Sequence, residues 1–292
     1  MCERMSITDF SAFKRDKRKI VMVSCFDYTT ARYLESSDVD SVLVGDSAAQ
    51  VMLGHKTTLP AGMDFMVTIT QAVRRGAPHL FLIADMPFLS HQISPQEAVR
   101  NAGRFMVECE AQMVKMEVSL SHLDRVKAVS QAGIPVMSHI GIKPQMICKM
   151  GGYHAVGVCS QEGRELIQFS ERLVEAGSSA LLVEGVTAEV SAIITERCEV
   201  PVISCGSGPQ CDGQVLIASD ILGLTIGKKP RFALSFERLG ELTVKAFSAY
   251  SRHVREGVFP GYQHCYHIKQ EEKEGLERLS GAGRETRGRC EV

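Results

Sequence analysis

The segment LFLIAD at Leu80–Asp85 is an unbroken apolar run that ends in a carboxylate. Its apolar residues do not alternate with polar ones, which is typical of a parallel strand covered on both faces. Runs of the same kind recur along the chain and predict eight strands. We place them at Lys19–Cys25, Ser41–Asp46, Leu80–Asp85, Gln112–Glu117, Pro135–His139, Ala180–Glu184, Pro201–Cys205 and Ile221–Thr225.

Helical patterns fill the intervals between these runs. The segment Pro95–Cys109 has apolar residues at helical spacing behind Ser94, an N-cap residue, and proline at its first position. Ser160–Ala176, Thr187–Arg197 and Leu120–Ala132 follow similar patterns. Alternation of strand and helix predicts an α/β fold, a (β/α)8 TIM barrel. A doubly wound sheet is the alternative, but no GxGxxG motif opens a first strand–helix unit.

The length of 292 residues suits one large barrel. We predict a single barrel domain over residues 1–268, with an N-terminal extension and a C-terminal helix at Leu234–Glu256. Two long connections, Ser47–Gly76 and Gly141–Cys159, interrupt the pattern, and long loops in a compact barrel are usually lids or assembly surfaces. The segment Lys269–Val292 is charged and poor in large apolar residues, so it is predicted to be a disordered tail.

Composition and charge exclude several classes of protein. The net charge is -1 without a long basic stripe, so nucleic acid is not an expected partner. No apolar stretch approaches the length of a membrane span, so a membrane is not expected either, and the N-terminus lacks the apolar core of a secretory signal. Ten cysteines are scattered without a CxxC pair, which indicates reduced thiols. We therefore expect a cytoplasmic protein.

Four predicted strands end in an acid: Asp46, Asp85, Glu117 and Glu184. Catalytic groups of such barrels lie at the carboxyl ends of the strands. Burying a carboxylate there without a partner is costly, and a shared divalent cation offsets that cost. A set of oxygen ligands favours Mg2+ over Zn2+. The structural alternative is that each acid caps the helix that follows it.

Other polar residues lie near the same strand ends. Lys115 precedes Glu117 by two residues, on the same strand face, and can bind a substrate carboxylate or an enolate oxygen. Its structural alternative is an ion pair with an acid inside the barrel. His139 ends the fifth strand and Ser47 follows the first acid, although each also fits a structural role. Gly206-Ser207-Gly208 fits either an anion-binding turn or a plain turn.

Several short motifs resemble those of the ketopantoate hydroxymethyltransferase family, and they occur in order between Lys19 and His267. They are Val44-Gly45-Asp46-Ser47, Gly54-His55, Thr58-Leu59-Pro60, Ala72–Pro78, Ala84–Phe88, Val114–Glu117, His139-Ile140-Gly141, Pro144-Gln145, Gly151-Gly152-Tyr153 and Gly257–Gly261. The resemblance implies a (β/α)8 barrel related to the isocitrate lyase and phosphoenolpyruvate mutase enzymes. It also implies a large homo-oligomer, often a decamer.

The resemblance further implies an activity and a set of site residues. The family transfers a hydroxymethyl group from 5,10-methylenetetrahydrofolate to 3-methyl-2-oxobutanoate in pantothenate biosynthesis. The magnesium ligands carried over are Asp46, Asp85 and Glu117. The oxo-acid contacts carried over are Asp46, Ser47 and Lys115, to which we add Asp85 and His139 from their strand-end positions. The general base carried over is Glu184.

Such a site suits enolate chemistry. A 2-oxo acid can chelate Mg2+ through its carboxylate and carbonyl oxygens, and the ion then stabilises the enolate. A carboxylate base at the strand end removes the proton from C3. The enolate attacks a one-carbon unit held nearby on the folate.

The chain departs from the family pattern around these residues. The departures are Val118-Ser119 for two glycines, Thr68-Ile69 for Tyr-His, Ser138 for glycine, Val156-Gly157-Val158 for Gln-Gly-Arg, and Gly185-Val186-Thr187 where Cys and Pro are more typical. The metal acids and the base are unchanged. This pattern indicates retained enolate chemistry, either on the pantothenate substrates or in a paralogue that uses another 2-oxo acid or donor.

Two further alternatives come from other classes. A carbon–carbon lyase or mutase of the isocitrate lyase type usually carries a catalytic cysteine in a loop with Lys and Gly after the fourth strand. No such motif follows Glu117. A degenerate barrel kept for assembly or regulation is the non-enzymatic alternative, and the intact set of acids with Lys115 argues against it.

Overall fold

The structure is a computed structural model that describes residues 4–227 and 229–282. Its parallel strands close into a barrel in chain order, so that the eighth pairs with the first. The strands are β1 Ile20–Ser24, β2 Ser41–Val44, β3 Phe81–Asp85, β4 Met113–Glu117, β5 Val136–Gly141, β6 Ala180–Glu184, β7 Val202–Cys205 and β8 Gly213–Ile217. The predicted fold class is confirmed, and the first seven strands lie where the apolar runs predict them.

Helices surround the barrel. Among the described residues the α-helices are α1 Ile7–Arg15, α2 Tyr28–Glu35, α3 Ala48–Val51, α4 Met63–Gly76, α5 Pro95–Cys109, α6 Leu123–Gln131, α7 Ile147–Met150, α8 Ser160–Glu175, α9 Ala188–Arg197, α10 Ala218–Ile221, α11 Leu239–Arg255 and α12 Gln270–Ala282. Short 3-10 turns lie at Leu120–His122, Pro144–Met146 and Tyr262–His264. Ser94 caps α5 as predicted, because its hydroxyl accepts a hydrogen bond from the backbone N–H of Glu97 at 3.1 Å.

Side chains inside the barrel form an apolar floor beneath a polar rim. The floor includes Met22, Leu43, Ile83, Met113, Met137, Leu182, Ile203 and Val215. Side chains two residues apart on a strand share a face, so the next inward positions form the rim. These positions are Ser24, Asp85, Lys115, His139, Glu184 and Cys205. The larger apolar cluster lies between the strands and the helices.

The eighth strand is not where the sequence predicts it. We expected Ile221–Thr225, but β8 is Gly213–Ile217, paired with β7 and β1. The prediction assumed a helix in every crossover, whereas the described residues 206–212 between β7 and β8 contain none. Gly206 and Gly208 have φ of 70° and 100°, a left-handed backbone that lets this short connection turn back. The strand therefore begins earlier in the chain.

One of the two long connections differs from the prediction. Much of Ser47–Gly76 is helical, since it contains α3 and the barrel helix α4. An added β-carbon on Gly76 would stand 2.6 Å from Ala31 Cβ, so glycine lets α4 approach α2 closely. The connection Gly141–Cys159 holds the turn Pro144–Met146 and the short helix α7. It therefore follows β5 as an irregular loop.

The residues from Leu239 onward form a separate compact unit. The predicted helix at Leu234–Glu256 corresponds to α11, which begins five residues later at Leu239. The sequence predicts disorder over Lys269–Val292, but the structure has the helix α12 within this segment. Glu271 and Glu272 lie in its first turn, where negative charge stabilises a helix. Residues 283–292 lie outside the described part. No helix in the described ranges is both long and apolar enough to span a membrane.

Candidate active site

The predicted site residues meet at the carboxyl ends of neighbouring strands. Lys115 on β4 is the register partner of Asp85 on β3, and His139 on β5 is the partner of Glu117 on β4. Glu184 ends β6, the next strand. Residues in register on adjacent strands of a barrel form layers at one height. The structure therefore brings these five side chains to one rim.

Asp85 lies at the centre of this group. It is fully buried, and Lys115 Nζ lies 2.8 Å from its Oδ1. The backbone N–H of Asp46 donates to Asp85 Oδ2 at 2.9 Å, so Asp46 is fixed against the end of β3. The interior ion pair that was the structural alternative for Lys115 is thus present, and its partner is itself a residue of the site.

Gln145 joins two of the acids. Its backbone N–H donates to Glu117 Oε2 at 3.0 Å, and its Nε2 donates to Asp46 Oδ2 at 2.9 Å. The same Nε2 also donates to the backbone oxygen of Met86 at 3.0 Å. Gln145 belongs to the Pro144-Gln145 motif of the family resemblance, which predicts no role for it. The available signal was a Pro-Gln pair shortly after a strand that ends at the rim.

His139 lies between the lysine and the last acid. Its Nδ1 lies 3.5 Å from Lys115 Nζ, and its Nε2 lies 3.2 Å from Glu184 Oε2. Burial lowers the pKa of His139 below its usual value, and the charge of Lys115 adds to this effect. The ring is therefore neutral near pH 7. Its Nδ1 can then accept from Lys115, whereas Nε2 lies near Glu184 but makes no hydrogen bond within the described residues.

When Asp46, Asp85 and Glu117 are all ionised, Lys115 neutralises only part of their negative charge. Burial raises the pKa of Asp85 to about 8; Lys115 opposes the shift and repulsion from Asp46 adds to it. Burial also raises the pKa of Glu117 well above its usual value. Burial alone would lower the pKa of Lys115, but the neighbouring acids raise it instead. An added cation would stabilise the ionised form of these acids.

The donor set fits a magnesium ion. Asp46, Asp85 and Glu117 offer oxygen ligands, and Glu117 Oε1 is buried without a hydrogen-bond partner in the described part of the chain. Among the described residues, no group of three or more His, Cys, Asp or Glu side chains is arranged so that it could hold a metal ion. Magnesium commonly takes one or two carboxylates and completes its shell with water and substrate oxygens. The residues present therefore suit an ion that shares its shell with a ligand.

Two hydroxyls face the acids from the first two strands. An added β-carbon on Gly45 would stand 3.1 Å from Ser47 Oγ, 3.2 Å from Ser24 Oγ and 3.9 Å from Asp85 Oδ2. Ser47 precedes α3 but makes no side-chain cap bond. Ser24 Oγ is buried without a hydrogen-bond partner in residues 4–227 and 229–282. The sequence analysis missed Ser24, because it lies inside an apolar run that ends one residue later.

The loop after β3 also reaches this group. His91 is fully buried, and its Nε2 lies 2.9 Å from the backbone oxygen of Glu117. Burial lowers the pKa of His91 to about 4, so its neutral ring donates to that oxygen. His91 was not predicted, because it lies within the loop between β3 and α5 and not at the end of a strand.

The structural alternative for the four acids is not observed. The helices and turns that follow β2, β3, β4 and β6 have N-cap residues other than these acids. The N-cap residues are Ser47, Ser94, Ser119 and Thr187. None of the four acids therefore acts as the N-cap of the helix or turn that follows its strand.

The turn Gly206-Ser207-Gly208 has a structural role. Ser207 Oγ donates to the backbone oxygen of Val183 at 2.9 Å and accepts from the backbone N–H of Val186 at 3.0 Å. The backbone N–H of Ser207 donates to Ser204 Oγ at 2.9 Å. These bonds hold the short connection between β7 and β8, and they favour the plain turn over the anion-binding one.

A closed parallel barrel with buried acids at its carboxyl rim defines a class of TIM-barrel enzyme. The fold is shared with members of the phosphoenolpyruvate mutase/isocitrate lyase superfamily. Phosphonopyruvate hydrolase, solved with oxalate and Mg2+, aligns with TM-score 0.59 and 12% identity over 97% of this chain and 99% of its own. The superfamily member 2,3-dimethylmalate lyase aligns with TM-score 0.58 and 15% identity over 95% and 98%. These likenesses establish the fold.

Sequence similarity identifies the family. The family model of ketopantoate hydroxymethyltransferase matches residues 4–262. The 3-methyl-2-oxobutanoate hydroxymethyltransferase of Alkaliphilus metalliredigens is 41% identical over 278 residues, 94% of this chain and 98% of that protein. That of Syntrophobacter fumaroxidans is 40% identical over 279 residues, 96% and 99%. The chain belongs to the ketopantoate hydroxymethyltransferase family and is an enzyme of the transferase class, which confirms the resemblance.

Proposed function

We propose that this enzyme transfers a hydroxymethyl group from 5,10-methylenetetrahydrofolate to 3-methyl-2-oxobutanoate, giving 2-dehydropantoate for pantothenate biosynthesis, with Mg2+ as its metal. The observation that carries the proposal is the convergence of the buried acids, Lys115 and the more open Glu184 on one rim. The printed names of the relatives support the oxo acid and the transferred group.

In this proposal the oxo acid binds beside the buried acids of the rim. Asp46, Asp85 and Glu117 would hold Mg2+, which when bound supplies a Lewis acid that stabilises negative charge on the 2-oxo oxygen. Lys115, kept charged by its acidic neighbours, attracts and orients the substrate carboxylate. Ser47 adds a hydroxyl donor beside it. Because Lys115 is already held by Asp85, this frame is arranged before the substrate enters.

Glu184 serves as the general base. Its side chain is 20% exposed, whereas that of Asp85 is 0% exposed, so Glu184 is the acid that a substrate can approach. His139 Nε2 lies 3.2 Å from Oε2 without forming a hydrogen bond. The carboxylate therefore takes the proton from C3 of the oxo acid. Hydrolysis of the methylene bridge by water breaks its two C–N bonds and releases tetrahydrofolate and formaldehyde. The enolate then attacks the formaldehyde carbon, a new carbon–carbon bond forms at C3, and the aldehyde oxygen takes a proton to become the hydroxyl group.

The test is direct formation of the product. Purified enzyme is incubated with Mg2+, 5,10-methylenetetrahydrofolate and 3-methyl-2-oxobutanoate, and proton NMR follows the oxo acid. We expect 2-dehydropantoate, its loss when EDTA removes the metal, and its return when Mg2+ is added in excess. Absence of product at saturating concentrations of both substrates contradicts the proposal.

A second candidate is a paralogue that performs the same chemistry on another 2-oxo acid or donor. The specific observation is that two altered segments lie together beside the base. Val156 bridges to Val186, and its backbone N–H donates to the oxygen of Gly185 at 2.9 Å. Val156 thus lies beside the segment that follows Glu184, at a position where the family resemblance predicts glutamine. A comparison of kcat/KM among straight and branched 2-oxo acids decides between the two, and a tenfold preference for another acid favours the paralogue.

A further inference from the structure

Gln145 connects the ends of three strands through its buried side chain and its backbone N–H. It is 2% exposed, and it contacts Asp46 after β2, Met86 after β3 and Glu117 at the end of β4. Its position is set by the turn Pro144–Met146, in which proline occupies the first position. A glutamine placed here touches two of the acids that the proposed function assigns to Mg2+.

The orientation of the Gln145 amide is fixed by its partners. Gln92 Nε2 donates to Gln145 Oε1 at 3.1 Å, so Oε1 faces Gln92 and Nε2 faces Asp46. The backbone oxygen of Met86 can only accept, and it also lies against Nε2. A flipped amide would place an acceptor against both a carboxylate and a carbonyl oxygen. The network therefore admits one orientation.

This orientation decides which carboxylate oxygens remain available. Asp46 Oδ2 accepts from Gln145 Nε2, and Asp46 Oδ1 makes no hydrogen bond with the described residues. Glu117 Oε2 accepts from the backbone N–H of Gln145, and Oε1 is the buried oxygen without a partner. Each acid thus keeps one oxygen bound to Gln145 and presents the other.

We infer that Gln145 is a positioning residue that presents Asp46 and Glu117 to the metal and thereby sets the affinity for Mg2+. Partners that hydrogen-bond to ligating carboxylates typically change metal affinity by about tenfold to a hundredfold when removed. The inference rests on the proposed function in one respect, namely that these acids bind Mg2+. It adds a residue and a measurable role that the acids alone do not specify.

The test removes the amide and keeps the volume. Gln145→Met retains the backbone N–H that binds Glu117 and removes the side-chain bonds to Asp46, Met86 and Gln92, of which only Asp46 is a proposed metal ligand. Calorimetry on the metal-free full chain, without oxo acid or folate, measures the Kd for Mg2+. We expect Kd to rise by about tenfold. The matched control is Gln161→Met on the exposed start of α8, where Gln161 contacts Glu165 on the surface, and its Kd should equal that of the wild type.

A second readout separates positioning from a merely structural role. In the product assay, Gln145→Met should need more Mg2+ for half-maximal rate but reach a kcat close to the wild type at saturating Mg2+. A lower kcat at every Mg2+ concentration with an unchanged midpoint overturns the inference. If Gln145→Met does not fold, Gln92→Ala removes the bond that orients the amide, together with the bond from the backbone N–H of His91 to Gln92 Oε1, and should raise Kd by less than is expected for Gln145→Met.

The outcomes distinguish this inference from the proposed function. Wild-type protein that binds Mg2+, with folded Gln145→Met or Gln92→Ala binding it equally well, overturns the role of Gln145 alone. Wild-type protein that binds no Mg2+ overturns the proposed metal and this inference together.

Discussion

The rim has a closed side and an open side, and they differ in both geometry and sequence. On the closed side Asp46, Asp85 and Glu117 are at most 4% exposed and are tied to one another through Gln145 and backbone bonds. On the open side Glu184 is partly exposed, and Tyr153 on the loop after β5 is 49% exposed.

The departures from the family pattern include the segments that flank the open side. Burial raises the pKa of Tyr153, and the charges of Glu184, Glu117 and Asp46 add to the shift, so its hydroxyl stays protonated as it faces the acids. The closed side must hold charged groups at fixed distances, which leaves little freedom for substitution. In the proposed function the base on the open side meets C3 of the oxo acid, and the wall beside it can change without disturbing the buried acids.

The largest expected effect comes from the open side. Glu184→Gln keeps the shape of the side chain but removes the base, so kcat should fall by about a hundredfold to ten-thousandfold. The Kd for Mg2+ should stay unchanged, because the metal acids lie on the other side. Rates come from the product assay, and proton exchange at C3 is followed by NMR in D2O. Glu189→Gln on the exposed start of α9 is the control; near-full exchange in Glu184→Gln would exclude this residue as the base.

The closed side should show its buried charge through pH. The pKa of Asp85 is raised to about 8 in the folded, metal-free protein, so the folded state holds a proton that the unfolded state releases near pH 4. Stability of the metal-free protein should therefore fall as pH rises from about 4 to 8. Mg2+ must displace this proton and any proton on Glu117, whose pKa is also raised, so its affinity should increase by about tenfold per pH unit for each proton displaced.

Two measurements check this pH dependence. Thermal unfolding of the metal-free protein across the pH range gives the stability, and calorimetry from pH 6.5 to 9 gives the Mg2+ affinity. In Asp85→Asn the fall in stability should be reduced, because residue 85 no longer titrates. A Mg2+ affinity that is independent of pH below 8 contradicts the raised pKa.

The smallest effect concerns the wall beside the base. Val156→Gln restores a polar side chain of the kind that the family resemblance predicts there, next to Val186. We expect a change of a few fold, about 1 kcal/mol, in the ratio of kcat/KM between two branched 2-oxo acids. Val158→Gln is the control, because Val158 is 67% exposed. Equal ratios in wild type and Val156→Gln would show that this wall does not contribute to substrate choice.

The fold was largely predictable because its strands are buried on both faces. Seven apolar runs stand out from the chain, and β3 at Phe81–Asp85 is the clearest. The eighth strand, Gly213–Ile217, has an exposed Gln214 and follows a crossover without a helix, so neither its pattern nor the expected period reveals it. The sequence predicts a long connection over Ser47–Gly76, although the helix α4 lies within it at Met63–Gly76. Irregular segments on both sides of α4 hide its helical pattern.

The site was predictable where chemistry coincides with a strand end. Asp85, Glu117 and Glu184 close their strands, and the barrel geometry then brings them together. Gln145 and His91 reach the acids from loops, and only the path of those loops shows which strand end they touch. The homo-oligomer, the folate co-substrate and the cytoplasmic location stay predictions.

The floor beneath the rim holds Met22, Met113 and Met137, each almost fully buried. Met113 and Met137 lie two residues before Lys115 and His139 and share their strand faces. Their side chains therefore lie in the layer directly below these two residues. Methionine methyl groups are mobile even in packed interiors and give sharp, well-separated resonances when labelled with 13C. The barrel thus contains its own spectroscopic reporters, and entry of an ion or of an oxo acid above them becomes visible without any change to the rim.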